Sequence, residues 1–173
     1  MSGLIRLVYA SRANFDPVDS DSGIEPTVAR ILFQSRKNNP REQIGGVLYY
    51  GNGYFFQCLE GKSDVVNALA ARLMQDPRHS DVEILKVSQV DRRLFRNWSM
   101  KYVPLEQDVN RLLQKHEMKS FDPYNLSDGL IDELVALFVQ LSSPQSSPDQ
   151  DYSDKAEAAP TLWGRFKKLL GLG

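Results

Sequence analysis

Apolar and polar positions alternate along the chain with two distinct periods. "LIRLVYA", Leu4–Ala10, is dense in branched and aromatic residues and predicts a strand. Residues 14–23 are polar, with Asp, Ser and Pro, and predict a loop. "IEPTVARILFQSRKNN" then sets Val28, Ile31, Leu32 and Ser35 at helical spacing. Asn38, Asn39 and Pro40 close that helix, because they favour turns and block continuation. "IGGVLYYGNGYFFQCLEG" holds two β-prone runs around Gly51-Asn52-Gly53 and predicts a hairpin. Ser63 is placed to cap the next helix, "DVVNALAARLMQD", where Val66, Leu69, Ala70 and Leu73 share one side and which Pro77 stops. "VEILKVSQV" predicts a fourth strand, and "WSMKYVP" a fifth that Pro104 ends.

The order β-α-β-β-α-β-β is that of the split βαβ, or ferredoxin-like, α+β fold with one added strand. Right-handed crossovers place both helices on one face of the sheet and make the first and third strands central neighbours. Beyond Pro104, "LEQDVNRLLQKHEM" and "LSDGLIDELVALFVQLSS" predict two amphipathic helices. Leu130, Leu134, Leu137, Phe138 and Leu141 form an apolar stripe, suited either to docking a partner or to packing on the exposed sheet face. The Ser-, Pro-, Asp- and Gln-rich residues 142–160 read as a flexible linker. Residues 161–173, "TLWGRFKKLLGLG", form a short basic amphipathic tail, weakened as a helix by Gly164. Partner binding, weak membrane-surface contact and packing within the protein all remain open for that tail. The expected division is thus a domain over 1–104, a helical extension over 105–141, a linker and a tail.

Composition narrows the function. The 173 residues are 42% hydrophobic and 25% charged, with a net charge of -1 and a pI of about 6.1. That balance gives no support for direct nucleic-acid binding, which normally brings a basic excess. Cys58 is the single cysteine, so neither an internal disulfide nor a cysteine-based zinc cluster is available. The two histidines, His79 and His116, lie far apart and form no metal-ligand spacing. The amino terminus lacks the apolar core of a secretion signal, and no apolar run approaches the roughly 20 residues that cross a bilayer. A cytoplasmic protein is expected.

One polar residue stands out among these strands. Alternation puts Phe55, Gln57 and Leu59 on one face of the third strand, with Ile5, Leu7 and Tyr9 sharing a face of the first. With helices over the Phe55 face, Gln57 is a buried amide, which costs about 1–3 kcal/mol if left without partners. Tyr9 is one candidate partner, since a phenol donates and accepts. The register between the two strands does not follow from one sequence. Such a bond serves either core stability alone or a function.

Taken together, "LVYASR", "RKNNPREQIGGVLYY", "FFQCLEG", "DPRHSDVEIL" and "NWSMKY" resemble the BLUF family of blue-light photoreceptors. The resemblance runs from Leu4 to Val103, in order and at matching separations. It implies non-covalent binding of FAD (FMN or riboflavin are the alternatives), with the ring between the two helices. Tyr9 then matches the family's photoactive tyrosine and Gln57 its switching glutamine. Asn39 matches the asparagine that bonds the flavin carbonyl edge, with Asn38 beside it, and Ile31 matches a position packed on the ring. Arg78 and His79 match a pair near the pyrimidine edge and ribityl chain. Trp98 and Met100 match the output strand, either of them able to face the glutamine. Ala10 stands where several members carry Ser, which puts a secondary hydrogen bond there in doubt.

In that family, light drives an electron and then a proton from the tyrosine. The glutamine is left rearranged, by rotation or by tautomerisation, and the absorption shifts to the red. No output enzyme is recognisable after the domain, so the resemblance implies a non-enzymatic sensor. Its signal would pass through the C-terminal helices or tail to a downstream regulatory protein or a second copy of the chain. An acylphosphatase-like hydrolase using Arg78 and Asn39 would need a glycine-rich anion loop near the first strand, which is missing. The alternative is a flavin-free ferredoxin-like interaction module.

Overall fold

The computed structural model describes residues 3–17, 24–96, 99–103 and 106–141. Among these residues, five strands and four α-helices follow in the order β1 (Leu4–Ala13), α1 (Pro26–Asn38), β2 (Gly45–Gly51), β3 (Tyr54–Lys62), α2 (Ser63–Leu73), β4 (His79–Gln89), β5 (Lys101–Tyr102), α3 (Glu106–Lys115) and α4 (Asp128–Gln140). A short 3-10 turn at Pro123–Asn125 precedes α4. The sheet order is β4-β1-β3-β2-β5. Antiparallel pairing joins its first four strands, and β5 adds to β2 in parallel. This is the ferredoxin-like order, with β1 and β3 at its centre.

Local chemistry explains the element ends. Asn52 and Gly53 form the two-residue hairpin turn with φ of 53° and 76°, the left-handed pair that matches the twist of the flanking strands. The Glu25 carboxylate accepts from the Val28 N–H at 2.8 Å and caps α1, and Pro26 begins that helix with a pre-set φ. Ser63 is the first residue of α2 rather than its cap; Lys62 holds the cap position with no side-chain bond. The cause is that β3 runs directly into α2, and the Ser63 N–H is bonded to the Gly3 carbonyl at 2.9 Å. The same helix ends at Leu73, short of Pro77, because Gln75 and Asp76 turn back with three-residue hydrogen bonds to Arg72 and Leu73. Among the described residues, strand β5 pairs over Lys101 and Tyr102, inside the expected 98–104 run.

The sheet carries a core on each face. On one, Ile5, Leu7, Tyr9, Phe55 and Leu59 meet Val28, Ile31 and Leu32 of α1, Val66 and Ala70 of α2, and Met100. On the other, Val8, Tyr49, Phe56 and Cys58 meet Val109 and Leu113 of α3 and Leu130, Leu134 and Phe138 of α4. The apolar stripe on α4 packs on the sheet through Leu130, Leu134 and Phe138, which are buried there. Tyr49 stacks on Phe138 at 5.8 Å and meets Phe121 edge-on at 4.9 Å. Residues Met1–Val139 make up one compact unit, which therefore includes α3 and nearly all of α4. The linker and tail expected over 142–173 lie outside the described residues. Among the described residues no helix is long and apolar enough to cross a membrane.

Candidate functional site

The register of the central strands places Tyr9 opposite Gln57. The Tyr9 hydroxyl donates to Gln57 Oε1, and Gln57 Nε2 donates to Met100 Sδ at 3.1 Å. All three side chains are buried, with exposures of 3% or less. Burial raises the Tyr9 pKa; the charge of Asp76 adds to this and that of Arg78 opposes it. The phenol therefore keeps its proton and acts as the donor. A thioether can only accept, so the amide lies between a donor on its oxygen and an acceptor on its nitrogen. Met100 therefore contacts the glutamine, while Trp98, the other residue expected to be able to face it, lies outside the described residues.

The Met100 segment is held from α1. Arg36 Nε donates to the Met100 carbonyl at 3.0 Å, and Asn39 Nδ2 donates to the Ser99 carbonyl at 2.6 Å. Further along, the Val103 N–H bonds to the Leu48 carbonyl at 3.0 Å. Asn39 is buried as the C-cap of α1, whereas Asn38 is exposed in its last turn. Ile31 is buried on the same helix, facing the sheet core that contains Tyr9.

A second polar group lies at the start of β4. An irregularity in the β1–β4 register falls between Ala10 and Arg12, opposite Asp81, whose φ is 49°. Pairing resumes beyond it, so β4 begins at His79, which Ala13 faces. The buried His79 Nδ1 lies 2.8 Å from Ser11 Oγ, and its ring centroid is 4.6 Å from that of Phe55. His79 Nε2 is buried with no partner among the described residues. Burial pushes the imidazole pKa down to about 4, with Asp76 opposing and Arg78 reinforcing that shift. The ring is therefore neutral near pH 7. Arg78 is committed to Asp76, Nε to Oδ1 at 2.9 Å, and this bond holds the Asp76 carboxyl below its ordinary range.

Ser11 escaped the sequence reading, although its place two residues after Tyr9 puts it on the Tyr9 face. Ala10 pairs with Phe56, which belongs to the opposite core. A hydroxyl at position 10 would point away from Gln57, so the Ala10 departure removes nothing from this side of the sheet. The hollow lined by Tyr49, Asn52, Glu106 and Phe121 also lies on the α3 side and touches none of these residues.

The donor set fits a flavin. An isoalloxazine ring presents an edge of alternating carbonyls and N–H groups on an apolar, planar body. The Asn39 and Gln57 amides can read such an edge. The orphaned, neutral His79 Nε2 lacks a partner that a ligand could supply, and the α1 face offers Ile31.

Known proteins agree with this geometry. Residues 4–101, more than half of the chain, match the BLUF family, described as sensors of blue-light using FAD. A photoactivated adenylate cyclase subunit beta-like protein of Euglena gracilis is 36% identical over 99 residues, which cover 56% of this chain and 11% of that relative. The blue light- and temperature-regulated antirepressor BluF of Escherichia coli K12 is 26% identical over 103 residues, 59% of this chain and 24% of its own. The chain spans about a tenth of the length of the cyclase relatives it matches. Among solved structures, BlsA in its photo-activated state superposes with a TM-score of 0.70 at 29% identity, over 79% of this chain and 94% of that one. BlrB, a BLUF protein in its dark state, gives 0.64 at 25% identity, over 81% and 98%. A matching family over most of the sheet, solved relatives with the same fold, and a buried tyrosine-glutamine pair on its central strands lead to one conclusion: the chain belongs to the BLUF family of flavin-binding blue-light sensors.

Proposed function

We propose that this protein is a blue-light photoreceptor that holds FAD non-covalently on the α1/α2 face of its sheet and reports excitation by exchanging the partners of Gln57. The observation that carries the reading is the buried chain from Tyr9 through Gln57 to Met100. Asn39, His79 and Ile31 would hold the ring. Arg78 would serve the pyrimidine edge or ribityl chain only by sharing or leaving Asp76. Bound FAD supplies the absorption of blue light and a redox-active ring.

The protein's own part is to hold and redirect protons. Tyr9 presents its hydroxyl proton to Gln57 Oε1, and Gln57 presents an N–H to Met100 Sδ. A carboxamide that turns gives up the bond to Met100 and offers its N–H to Tyr9. One that tautomerises offers an O–H to Tyr9 and keeps a single N–H on the Met100 side. The exchange is thereby felt in segment 99–103, where Met100 lies in one core and Val103 in the other. From there the signal would reach α3, α4 and a downstream regulatory protein or a second copy of the chain. Membrane-surface contact through the tail belongs to the same proposal as a minor alternative.

Purified protein tests this directly. It should be yellow with bound FAD and should show a reversible red shift of its absorption under blue light. Colourless protein, or a spectrum unmoved by light, would remove the reading.

A further inference from the structure

We propose that Arg36 is a positioning residue that pins the Met100 segment and thereby sets how fast the protein relaxes after light; this rests on the photoreceptor reading above. Arg36 is exposed in the last turn of α1, yet its Nε reaches back to the Met100 carbonyl at 3.0 Å. Together with Asn39 on Ser99, it fixes two consecutive carbonyls of one segment from the same helix end. The residue so pinned by its backbone is the one whose sulfur accepts from Gln57.

The pin matters because the sheet itself holds this segment weakly. Among the described residues, strand β5 pairs with Val47 and Leu48, supplemented by the bond from Val103 to Leu48. Between β1 and β3, by contrast, the pairing runs unbroken from Leu4–Lys62 to Arg12–Tyr54. A guanidinium suits such a pin because it stays charged and its donors are fixed in a plane. The competing account is that Arg36 merely complements the negative end of the α1 dipole, as a basic residue in a last turn does. Lys37 occupies the same turn, is also exposed, and supplies the same charge. The two accounts therefore separate on neighbouring residues.

Arg36→Met keeps an apolar stem and removes the donor; Lys37→Ala removes an equal charge and leaves the pin. Both changes are at exposed positions, so both proteins should fold and retain FAD. In Arg36→Met, backbone amide exchange over 101–103 should rise about tenfold, the size expected when a charge-assisted hydrogen bond to this segment is lost. Dark recovery should slow about three- to tenfold, because a looser segment settles away from the position where Met100 accepts from Gln57. Lys37→Ala should stay within about twofold of wild type in both measurements. Unchanged exchange in Arg36→Met, or the same changes in Lys37→Ala, would overturn the pin. Faster exchange with unaltered recovery would remove Arg36 from the switch. A wild-type protein without a red shift would sink the photoreceptor reading, while exchange in the dark protein would still decide whether Arg36 holds the strand.

Discussion

Tyr9 and Gln57 face each other across the two central strands, and the phenol donates to the amide oxygen inside the core. Neither group can turn to water, so any change in one must be answered by the other. Tyr9→Phe removes the donor and leaves Gln57 Oε1 buried without it, at a cost of about 1–3 kcal/mol. Bound FAD should survive this change and the reversible red shift should disappear. Gln57→Leu should give the same result by removing the amide itself. Absorption spectra before and after blue light check both, and a normal photocycle in Tyr9→Phe would falsify the role given to that hydroxyl.

His79 makes stability depend on pH. Its folded-state pKa lies near 4 against about 6.5 unfolded, so below pH 6.5 the unfolded chain takes up a proton that the folded chain refuses. The stability this group contributes is therefore full above pH 6.5 and is lost as pH falls toward 4. Between pH 7 and pH 5 the loss should be about 2 kcal/mol. Urea midpoints at the two pH values give the slope, and His79→Gln should flatten it. An equal slope in that variant would place the titration elsewhere.

Gly46 has no room for a side chain. A Cβ there would lie 2.4 Å from the Cys58 carbonyl oxygen, a backbone atom of the paired strand. Gly46→Ala should destabilise the protein by about 3 kcal/mol or more, because the β2–β3 pair must separate to admit one methyl. Thermal melting checks it; a melting temperature within a degree or two of wild type would contradict the close approach.

Phe138 ties α4 to the sheet. It is fully buried and packs on Tyr49 and Phe56. Phe138→Ala should cost about 3–5 kcal/mol in the unfolding of the whole protein, in one cooperative transition. Were α4 instead a free docking arm, its truncated ring would leave the melting of the sheet untouched.

The faces and the hairpin turn were legible because each depends on spacing along the chain, and the central place of β1 and β3 followed from the element order and the handedness of crossovers. A period of two sorts Tyr9 from Ala10 and Gln57 from Cys58, and Asn52-Gly53 carries its own turn geometry. The pairing of Tyr9 with Gln57 was only a candidate, because register depends on how two distant strands meet. Ser63 resembles a cap in the sequence because nothing local reveals that a strand feeds a helix with no residue between them. The Ser11–His79 contact depends on the irregularity opposite Asp81, and an Asp at a left-handed φ leaves little trace in a sequence.

The margin placement of the two-residue strand β5 has a mechanical consequence. A lattice of paired strands is stiffest at its middle, where each backbone is gripped from both sides, and most compliant at its rim. The hydroxyl and carboxamide occupy the stiff middle, whereas the thioether they address belongs to the residue that immediately precedes the rim strand β5. On the photoreceptor reading, a disturbance too small to deform the centre would be expressed as displacement at the border, with the interior of the sheet as the fulcrum of a lever.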